Sequence, residues 1–223
     1  MFIPIVISIV VATFVDIAGH NNTYTTKFAE PQIYEGSNTI SDTCFTAIRK
    51  LTESNNEEDM VINEYLLETL SPIRSNYKKI NSIEAWTSVV SKDIFESTEG
   101  GEVVFYYTHN VLEKIINRNY GETYQELYEY YFLNEALSFV VERSCKYNRP
   151  LYYDSLTMIE LNDTEVFDVE KSIYSENRSY FEKEKLIHQI NSEDCGAPFS
   201  ESYLEKEELR IKSNLQNILK LEK

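Results

Sequence analysis

Residues 123–145 constrain the fold more than any other stretch, because they combine many large apolar side chains with regularly spaced polar ones. Their sequence is TYQELYEYYFLNEALSFVVERSC. The polar residues on and beside this stretch recur three, four, six or seven positions apart: Glu122, Glu126, Glu129, Glu135, Ser138 and Glu142. This is helical spacing, and the apolar residues between them cover more than half of a helical circumference. The stretch therefore predicts a central helix on which several partners pack, with Thr123 and Glu126 forming its N-terminal capping box.

Helical spacing recurs along most of the remaining chain. It predicts helices over 42–52, 57–70, 73–80 and 86–95, and a last helix capped by Ser202 with Glu205. Residues 102–119 combine the strand propensity of VVFYYTH with helical spacing further on, and helix is favoured there; 170–190 is helical by propensity. Residues 151–169 have no helical period and indicate one or two short strands or an irregular segment. We therefore expect a mainly α protein, a single-domain bundle of about six to eight helices around a central hydrophobic helix, with a short irregular or β excursion near 151–169.

The N-terminal segment has the composition of a secretory signal peptide. Residues 1–15, MFIPIVISIVVATFV, are apolar without a charged side chain, and Ala18-Gly19 supplies small residues for cleavage. The alternative is a buried first element of the fold. The run is shorter than the roughly 20 residues that span a bilayer, so no membrane span is expected. The predicted organisation is a signal peptide at 1–19, an extended polar arm at 20–41 and a helical domain at 42–223.

The overall charge restricts the classes of partner. The formal net charge is −16, which disfavours binding to nucleic acid and to anionic lipid. Aromatic residues make up 13% of the chain, including 17 Tyr, and this content is too high for a disordered acidic chain. Tyrosines bury their rings and keep their hydroxyls near water, so they fit the edge of a core or a contact surface.

The cysteine count is odd, which leaves one thiol over if a disulfide forms. Cys44, Cys145 and Cys195 are the three cysteines, and export would place them in an oxidising compartment. The sequence does not determine the pairing; Cys145 with Cys195 is the favoured pair. Cys44 is then a free thiol, either buried and inert or available for a disulfide-linked oligomer. Sequons at Asn21, Asn162 and Asn177 are candidate glycosylation sites.

Residue patterns typical of catalysis are not present. The three histidines, His20, His109 and His188, form no H-E-x-x-H motif, and the cysteines have no C-x-x-C spacing for structural zinc. His109 fits a half-buried packing position better than a general base. No G-x-S-x-G motif or glycine-rich phosphate loop occurs. We therefore expect no enzyme, cofactor or metal site, although the many carboxylates leave an unrecognised hydrolase open.

One group of basic residues opposes the acidic charge of the chain. Arg74, Lys78 and Lys79 share a predicted helix, with Arg49 and Lys50 one helix earlier. If these helices are neighbours, the residues form a patch for sulfated or carboxylated polysaccharide. The alternative is an ordinary solvated helix face. A second, poorer candidate for binding glycosaminoglycan is the pair Lys206 and Arg210.

Several features together resemble secreted microsporidian spore wall proteins. They are the leader MFIPIVISIVVATFV ending at Ala18-Gly19, the bias towards Asn, Ile, Lys, Tyr and Glu, and the C-terminal run IKSNLQNILKLEK. The resemblance covers the whole chain in character and length. It implies export to the spore wall, assembly with other wall proteins or chitin, and in some members adhesion to host glycosaminoglycans through a basic motif. In that motif the basic residues are usually contiguous, whereas here they are interrupted by other residues. The resemblance also implies that the glycosylation sequons carry no glycans.

The expected function is therefore a secreted structural and interaction protein of an extracellular coat, with heparin-type adhesion as a secondary role. The alternative is a secreted effector or binding module that engages one host protein through a tyrosine-rich surface. No catalytic residues follow from either hypothesis.

Overall fold

The computed structural model describes residues 51–54, 66–95, 97, 99–192 and 199–222, all of which belong to the compact unit Ser37–Lys223. The predicted signal peptide, the predicted arm and most of the predicted first helix lie outside the described residues, so these boundaries stay predictions. None of the described helices is both long enough and apolar enough to span a membrane.

A seven-stranded antiparallel sheet forms the centre of the described part of the chain, and its spatial strand order follows the chain order. The strands are β1 (Ser88–Ile94), β2 (Gly101–Thr108), β3 (Val111–Gly121), β4 (Tyr124–Leu133), β5 (Ala136–Lys146), β6 (Ile173–Glu182) and β7 (Lys185–Asn191). The described residues also contain the helices α1 (Leu67–Asn81), α2 (Ser155–Glu160) and α3 (Glu201–Leu221), and one 3₁₀ turn (Val169–Lys171).

The prediction of a mainly α helical bundle is therefore wrong. The predicted central helix at 123–145 is the hairpin of β4 and β5, and the predicted helices at 102–119 and 170–190 are the hairpins β2–β3 and β6–β7. The segment 86–95 contains β1 instead of a helix. The predicted irregular or β excursion at 151–169 contains the helix α2 and no strand. The N-cap of the last helix is Ser200 instead of the predicted Ser202.

Coverage of both faces of the sheet explains why the strand pattern was missed. Alternate residues of a strand point to opposite faces. Helix α1 packs on one face with Tyr131, Phe139 and Tyr180, and we name this side the α1 face. Helix α3 packs on the opposite side with Tyr130 and Val140, and this side is the α3 face. Strands that are buried on both sides lose the apolar–polar alternation that identifies a strand.

Three hairpins, β2–β3, β4–β5 and β6–β7, share one local design. Each has a two-residue turn in which both residues have positive φ: His109 and Asn110, Asn134 and Glu135, and Lys183 and Glu184. Each also has an irregularity in register two residues earlier, after Tyr106, Tyr131 and Tyr180. Such turns usually contain glycine, as in Asn-Gly. The sequences here, YYTHN, YFLNE and YFEKE, contain none, so the usual hairpin signal is missing.

Candidate functional site

A buried group of charged and polar side chains lies on the α1 face, and we call it the Glu129 cluster. The Glu129 side chain is fully buried. Its Oε1 accepts hydrogen bonds from Ser54 N at 2.8 Å, Ser54 Oγ at 2.9 Å and Arg143 Nη1 at 2.6 Å. Its Oε2 lies 3.0 Å from Lys114 Nζ and accepts from the Tyr131 hydroxyl at 2.6 Å. Five donors therefore surround one carboxylate in the core.

The cluster ties two separate parts of the chain to the sheet. Segment 51–54 is held by Arg143, which donates to Thr52 O at 3.1 Å and to Ser54 Oγ at 3.0 Å. The C-terminal end of α1 is held by Asn81, whose Oδ1 accepts from Lys114 Nζ at 3.0 Å and from the Tyr131 hydroxyl at 3.1 Å.

Strand β6 completes the connections of the cluster. The Glu176 carboxylate accepts from Arg143 Nε at 2.7 Å and from Arg178 Nε at 2.6 Å. Strands β4, β5 and β6 are thus linked by alternating acidic and basic side chains on one face.

The surroundings of these groups favour the charged forms of Glu129 and Arg143 and the neutral form of Tyr131. Burial alone would raise the pKa of Glu129, but Lys114, Arg143 and the hydrogen bonds outweigh it, and the pKa of Glu129 lies below its usual value. Burial opposes the charge of Arg143 as well, yet Glu129 and Glu176 raise its pKa. Tyr131 has a pKa well above its usual value because of burial and then Glu129, so its hydroxyl keeps the proton that it donates.

This arrangement is suited to holding structure together. A general acid or base works best with a pKa near the ambient pH. Glu129 is instead an ionised group whose two oxygens are already occupied by five donors, so it has no vacant position for a substrate proton. We interpret the Glu129 cluster as the anchor that fixes segment 51–54 and α1 on the sheet.

A pocket of about 160 Å³ lies on the other side of the sheet, between the C-terminal half of α3 and strands β1–β4, and we call it the amide pocket. Its lining combines amides, phenols and apolar groups: Ile94, Val103, Asn117, Asn119, Tyr128, Tyr130, Asn214, Asn217, Ile218 and Leu221. No charged side chain contributes to this lining.

The deepest polar groups of the amide pocket come from β3 and β4. Asn117 is 8% exposed, and its Oδ1 is buried without a hydrogen bond from any described residue. Buried side-chain oxygens usually accept at least one hydrogen bond, so this one is unusual. Tyr130 is 1% exposed and lies on the same face as Tyr128. The pKa values of both tyrosines are raised by burial and by nearby carboxylates, so both hydroxyls are protonated.

Two contacts hold α3 above the pocket. Arg210 forms a two-pronged ion pair with Glu142 on β5, at 2.8 Å from Nη1 and 2.7 Å from Nη2. At the end of α3, Glu222 accepts a hydrogen bond from the hydroxyl of Tyr107 on β2. Because both contacts connect the helix to the sheet, the pocket walls are fixed relative to each other.

The predicted glycosaminoglycan residues are distributed over both faces of the sheet. Lys78 and Lys79 are exposed on α1 and Arg74 is partly buried there; Arg74 and Lys78 both make further interactions. Arg49 and Lys50 lie outside the described residues. Lys206 and Arg210 are on α3, on the opposite face, and the Arg210 guanidinium is occupied by Glu142 and Glu207. The structure therefore separates the two predicted basic patches.

The remaining predicted sites are placed only in part. Cys145 is buried on β5 and forms no disulfide with another described residue, while Cys44 and Cys195 lie outside the described residues, so the disulfide pairing stays a prediction. Asn162 is exposed in a turn with φ of 52°, a geometry open to a glycan.

The other sequon and two of the histidines lie on or beside the sheet. Asn177 is half-buried on β6, and Asn21 is outside the described part of the chain. His109 is an exposed turn residue, in contrast to the half-buried packing position predicted for it, and His188 lies beside the Tyr180 ring at 5.8 Å.

Sequence reasoning missed both sites, although it did name some of their members. Glu129 and Glu142 were interpreted as one polar face of a helix, whereas on β4 and β5 they point to opposite faces of the sheet. A strand reading of the tyrosine-rich stretch would have found this, because Tyr, Phe and Val are enriched in strands. The pocket could not have been found in this way, since its residues come from five separate elements, β1, β2, β3, β4 and α3.

The fold and sites define a class of protein: an antiparallel β-sheet with a helix on each face, a buried charge cluster on one side and a small uncharged pocket on the other. No protein-family model, no curated protein and no solved structure matches this chain. Across the described residues, no group of three or more His, Cys, Asp or Glu side chains is arranged to hold a metal ion.

Proposed function

We propose that this chain is a secreted, non-catalytic interaction protein of an extracellular coat, of the spore wall type, and that it binds another coat protein through the excursion between β5 and β6. The observation that supports this is a group of apolar side chains in contact with solvent. Tyr152 (51%), Leu156 (70%), Ile159 (69%) and Leu161 (65%) are all more than half exposed, and we call them the excursion surface. Grouped exposure of this kind marks contact sites.

The excursion surface is held on an ordered backbone. Asp154 caps α2 by accepting from Thr157 N at 2.9 Å. Arg149 binds both oxygens of Asp163, each at 2.8 Å, and this pair lowers the pKa of Asp163. Leu156 and Ile159 are three residues apart on α2 and therefore lie on the same side of the helix. A surface already fixed in place loses little conformational entropy when a partner binds.

Charge indicates the chemistry of the partner. The exposed Glu160 lies between Ile159 and Leu161 of the excursion surface, and the whole chain carries a net charge of −16. A partner with an apolar centre and a basic rim would complement both properties. We therefore expect the bound coat protein to be basic at its contact site.

The test compares two variants in the native cell. Leu156→Ser with Ile159→Ser removes the apolar centre of the excursion surface. Leu209→Ser is the matched control, because Leu209 is also 69% exposed but lies on α3. Immunogold labelling and the fraction retained in washed coat are measured. We expect the double variant to be lost from the coat and the control to be retained; equal retention of both, or wild-type protein in the cytosol with Met1 attached, overturns the proposal.

The same surface supports the alternative, a secreted effector that engages one host protein. The two functions differ in where the protein is found. Labelled protein in the coat of intact cells supports the first, and soluble labelled protein in host cytosol supports the second.

Adhesion to host glycosaminoglycan is a secondary proposal, supported by the exposure of Lys78 and Lys79 on α1. Retention on a heparin column should decrease when Arg74, Lys78 and Lys79 are replaced by Ala. A matched control replaces Lys183 and Lys185 at the β6–β7 turn, which are also exposed. Elution of the triple variant at the wild-type salt concentration would contradict adhesion through this helix.

A further inference from the structure

We propose that the amide pocket is a binding site for one neutral sugar ring. The proposal is independent of the coat function, because it concerns the α3 face and not the excursion. It depends on the size of the pocket, on the chemistry of its lining and on the unsatisfied oxygen of Asn117.

The volume fits a single ring. A cavity of about 160 Å³ is close to the ~150 Å³ of an engineered cavity that binds one benzene molecule. Pockets for drug-sized ligands start at about 300 Å³. The pocket therefore accepts one six-membered ring with its substituents, or the terminal unit of a longer chain that extends into solvent.

The lining provides neutral hydrogen-bonding groups in excess of what the protein uses. Asn117 Oδ1 has no donor among the described residues and is buried, so it requires a hydroxyl or N–H group from a ligand or water. The hydroxyl of Tyr130, a residue that is 1% exposed, is a second neutral hydrogen-bonding group of the lining. Asn217 Oδ1 is occupied by Lys220 at 2.9 Å, which leaves its NH₂ group available as a donor. Donors and acceptors therefore line the same small space without a net charge.

The apolar part of the lining favours a sugar over a more polar solute. Val103, Ile94 and Ile218 are buried at the pocket, and the carbon-bound hydrogens of a ring face can pack against them. A sugar ring combines such an apolar face with hydroxyl groups at its edge, and these hydroxyls both donate and accept. An ionised ligand would enter a site that contains no opposite charge, which is costly.

A nucleobase fits the pocket less well. Flat bases are usually held by stacking between aromatic or apolar planes. Tyr128 and Tyr130 lie two residues apart on β4 and form one wall together, while the opposite wall is made by Asn214, Asn217 and Ile218 of α3. The pocket therefore has no aromatic plane facing the tyrosines.

The test is a binding experiment on the full chain by NMR chemical-shift perturbation. The probes are glucose, galactose, mannose, N-acetylglucosamine and adenosine, each titrated to about 100 mM or to its solubility limit, since a single-ring ligand is expected to bind with a Kd of ~1 mM. We expect at least one sugar to shift the resonances of Asn117, Tyr130 and Asn214 with saturation.

Variants establish that the shifts report the amide pocket. Asn214→Ala removes one amide from α3, and Asn117→Leu removes the unsatisfied oxygen; each should weaken binding about tenfold, as expected for a lost buried hydrogen bond. Gln216→Ala is the matched control, because Gln216 is exposed on α3 and does not line the pocket. If Asn117→Leu fails to fold, the result with Asn214→Ala alone tests the proposal. Asn214 is only half-buried, so its replacement is expected to leave the fold intact.

Three results overturn the proposal. The absence of saturable shifts with every sugar shows a water-filled cavity only. Saturable shifts with adenosine alone assign the site to a nucleobase. Sugar binding that Asn214→Ala leaves unchanged places the ligand elsewhere on the molecule.

Discussion

Glu129 is an ionised side chain with no contact to solvent, and its charge is stabilised by the residues that surround it. Removing a carboxylate from water costs several kcal/mol, and the attraction of Lys114 and Arg143 compensates for this only when the geometry is good. Here both carboxylate oxygens are fully used, at distances of 2.6 to 3.0 Å. The cluster is therefore sensitive to the loss of any one member.

Replacing Glu129 by Gln should destabilise the protein by about 3–5 kcal/mol, because Lys114 and Arg143 then remain buried without the carboxylate. Urea denaturation measures the free energy of unfolding. Glu182→Gln is the control: Glu182 also lies on a strand but is exposed, and its ion pair with Lys183 is long, at 4.0 Å. A similar small effect of both substitutions would show that Glu129 is not charged in the folded protein.

The pH dependence of stability should follow from the lowered pKa values of Glu129 and Glu176. A carboxyl whose pKa is lower in the folded state stabilises the protein above its unfolded pKa, near 4.3, and this stabilisation is lost as the pH falls through the folded value. The urea midpoint of the wild type should therefore fall steeply below about pH 4. Glu129→Gln should show a shallower fall over the same range; identical slopes would exclude Glu129 as a contributor.

At the scale of elements, the hairpins show which part of the fold the sequence could have predicted. The segment YEYYFLNEALSFVV is rich in residues with strand propensity, but Glu126, Glu129 and Glu142 happen to fit helical spacing as well. A clear turn signal in the middle of this segment would have favoured two strands over one helix. Asn134-Glu135 provides only a weak one, because a glutamate with φ of 64° is an unusual residue in a turn of this type.

Glycine at the second turn position should stabilise the hairpins. Glu184 has φ of 63°, and an L-residue with this backbone conformation is strained by about 1–2 kcal/mol in the folded state. Glycine relieves that strain, but part of the gain is lost because glycine makes the unfolded chain more flexible. Glu184→Gly should therefore raise the free energy of unfolding by about 0.5–1 kcal/mol, as should Glu135→Gly. Glu182→Gly, on the neighbouring strand, should lower it by a similar amount. Destabilisation by both turn variants would contradict the turn geometry.

At the scale of the molecule, the presence of a large core and an acidic surface could be predicted from the sequence, but the arrangement of the elements could not. The sequence gives a large core and an acidic surface, and the amphipathic stripe of Leu204, Ile211 and Leu215 predicts a helix where α3 is found. The placement of α1 and α3 on opposite faces depends on pairing between strands distant in sequence. The same is true of the amide pocket, in which Asn117 and Asn214 are brought together only by the fold.

The net charge of −16 predicts that salt stabilises the protein. Like charges on the surface repel one another in the compact state, and salt screens exposed charges more than buried ones. The urea midpoint should rise between about 0.01 and 0.5 M NaCl, conditions under which the Debye length falls from ~30 Å to a few ångströms. A midpoint that falls with salt would mean that exposed ion pairs contribute more than the repulsion does.

The repeated hairpin design gives the α1 face a lateral period of two strands, or about 10 Å. Tyr106, Tyr131 and Tyr180 occupy equivalent positions in the three hairpins, so aromatic packing alone would offer α1 several nearly equivalent docking positions. The residues two positions earlier break this pseudo-symmetry, because they are Val104, Glu129 and Arg178: one neutral, one anionic and one cationic. Asn81 of α1 accepts hydrogen bonds from Lys114 on β3 and from Tyr131 on β4, and both donors also contact Glu129. We therefore expect the buried charges to select the register of α1 on an otherwise repetitive surface.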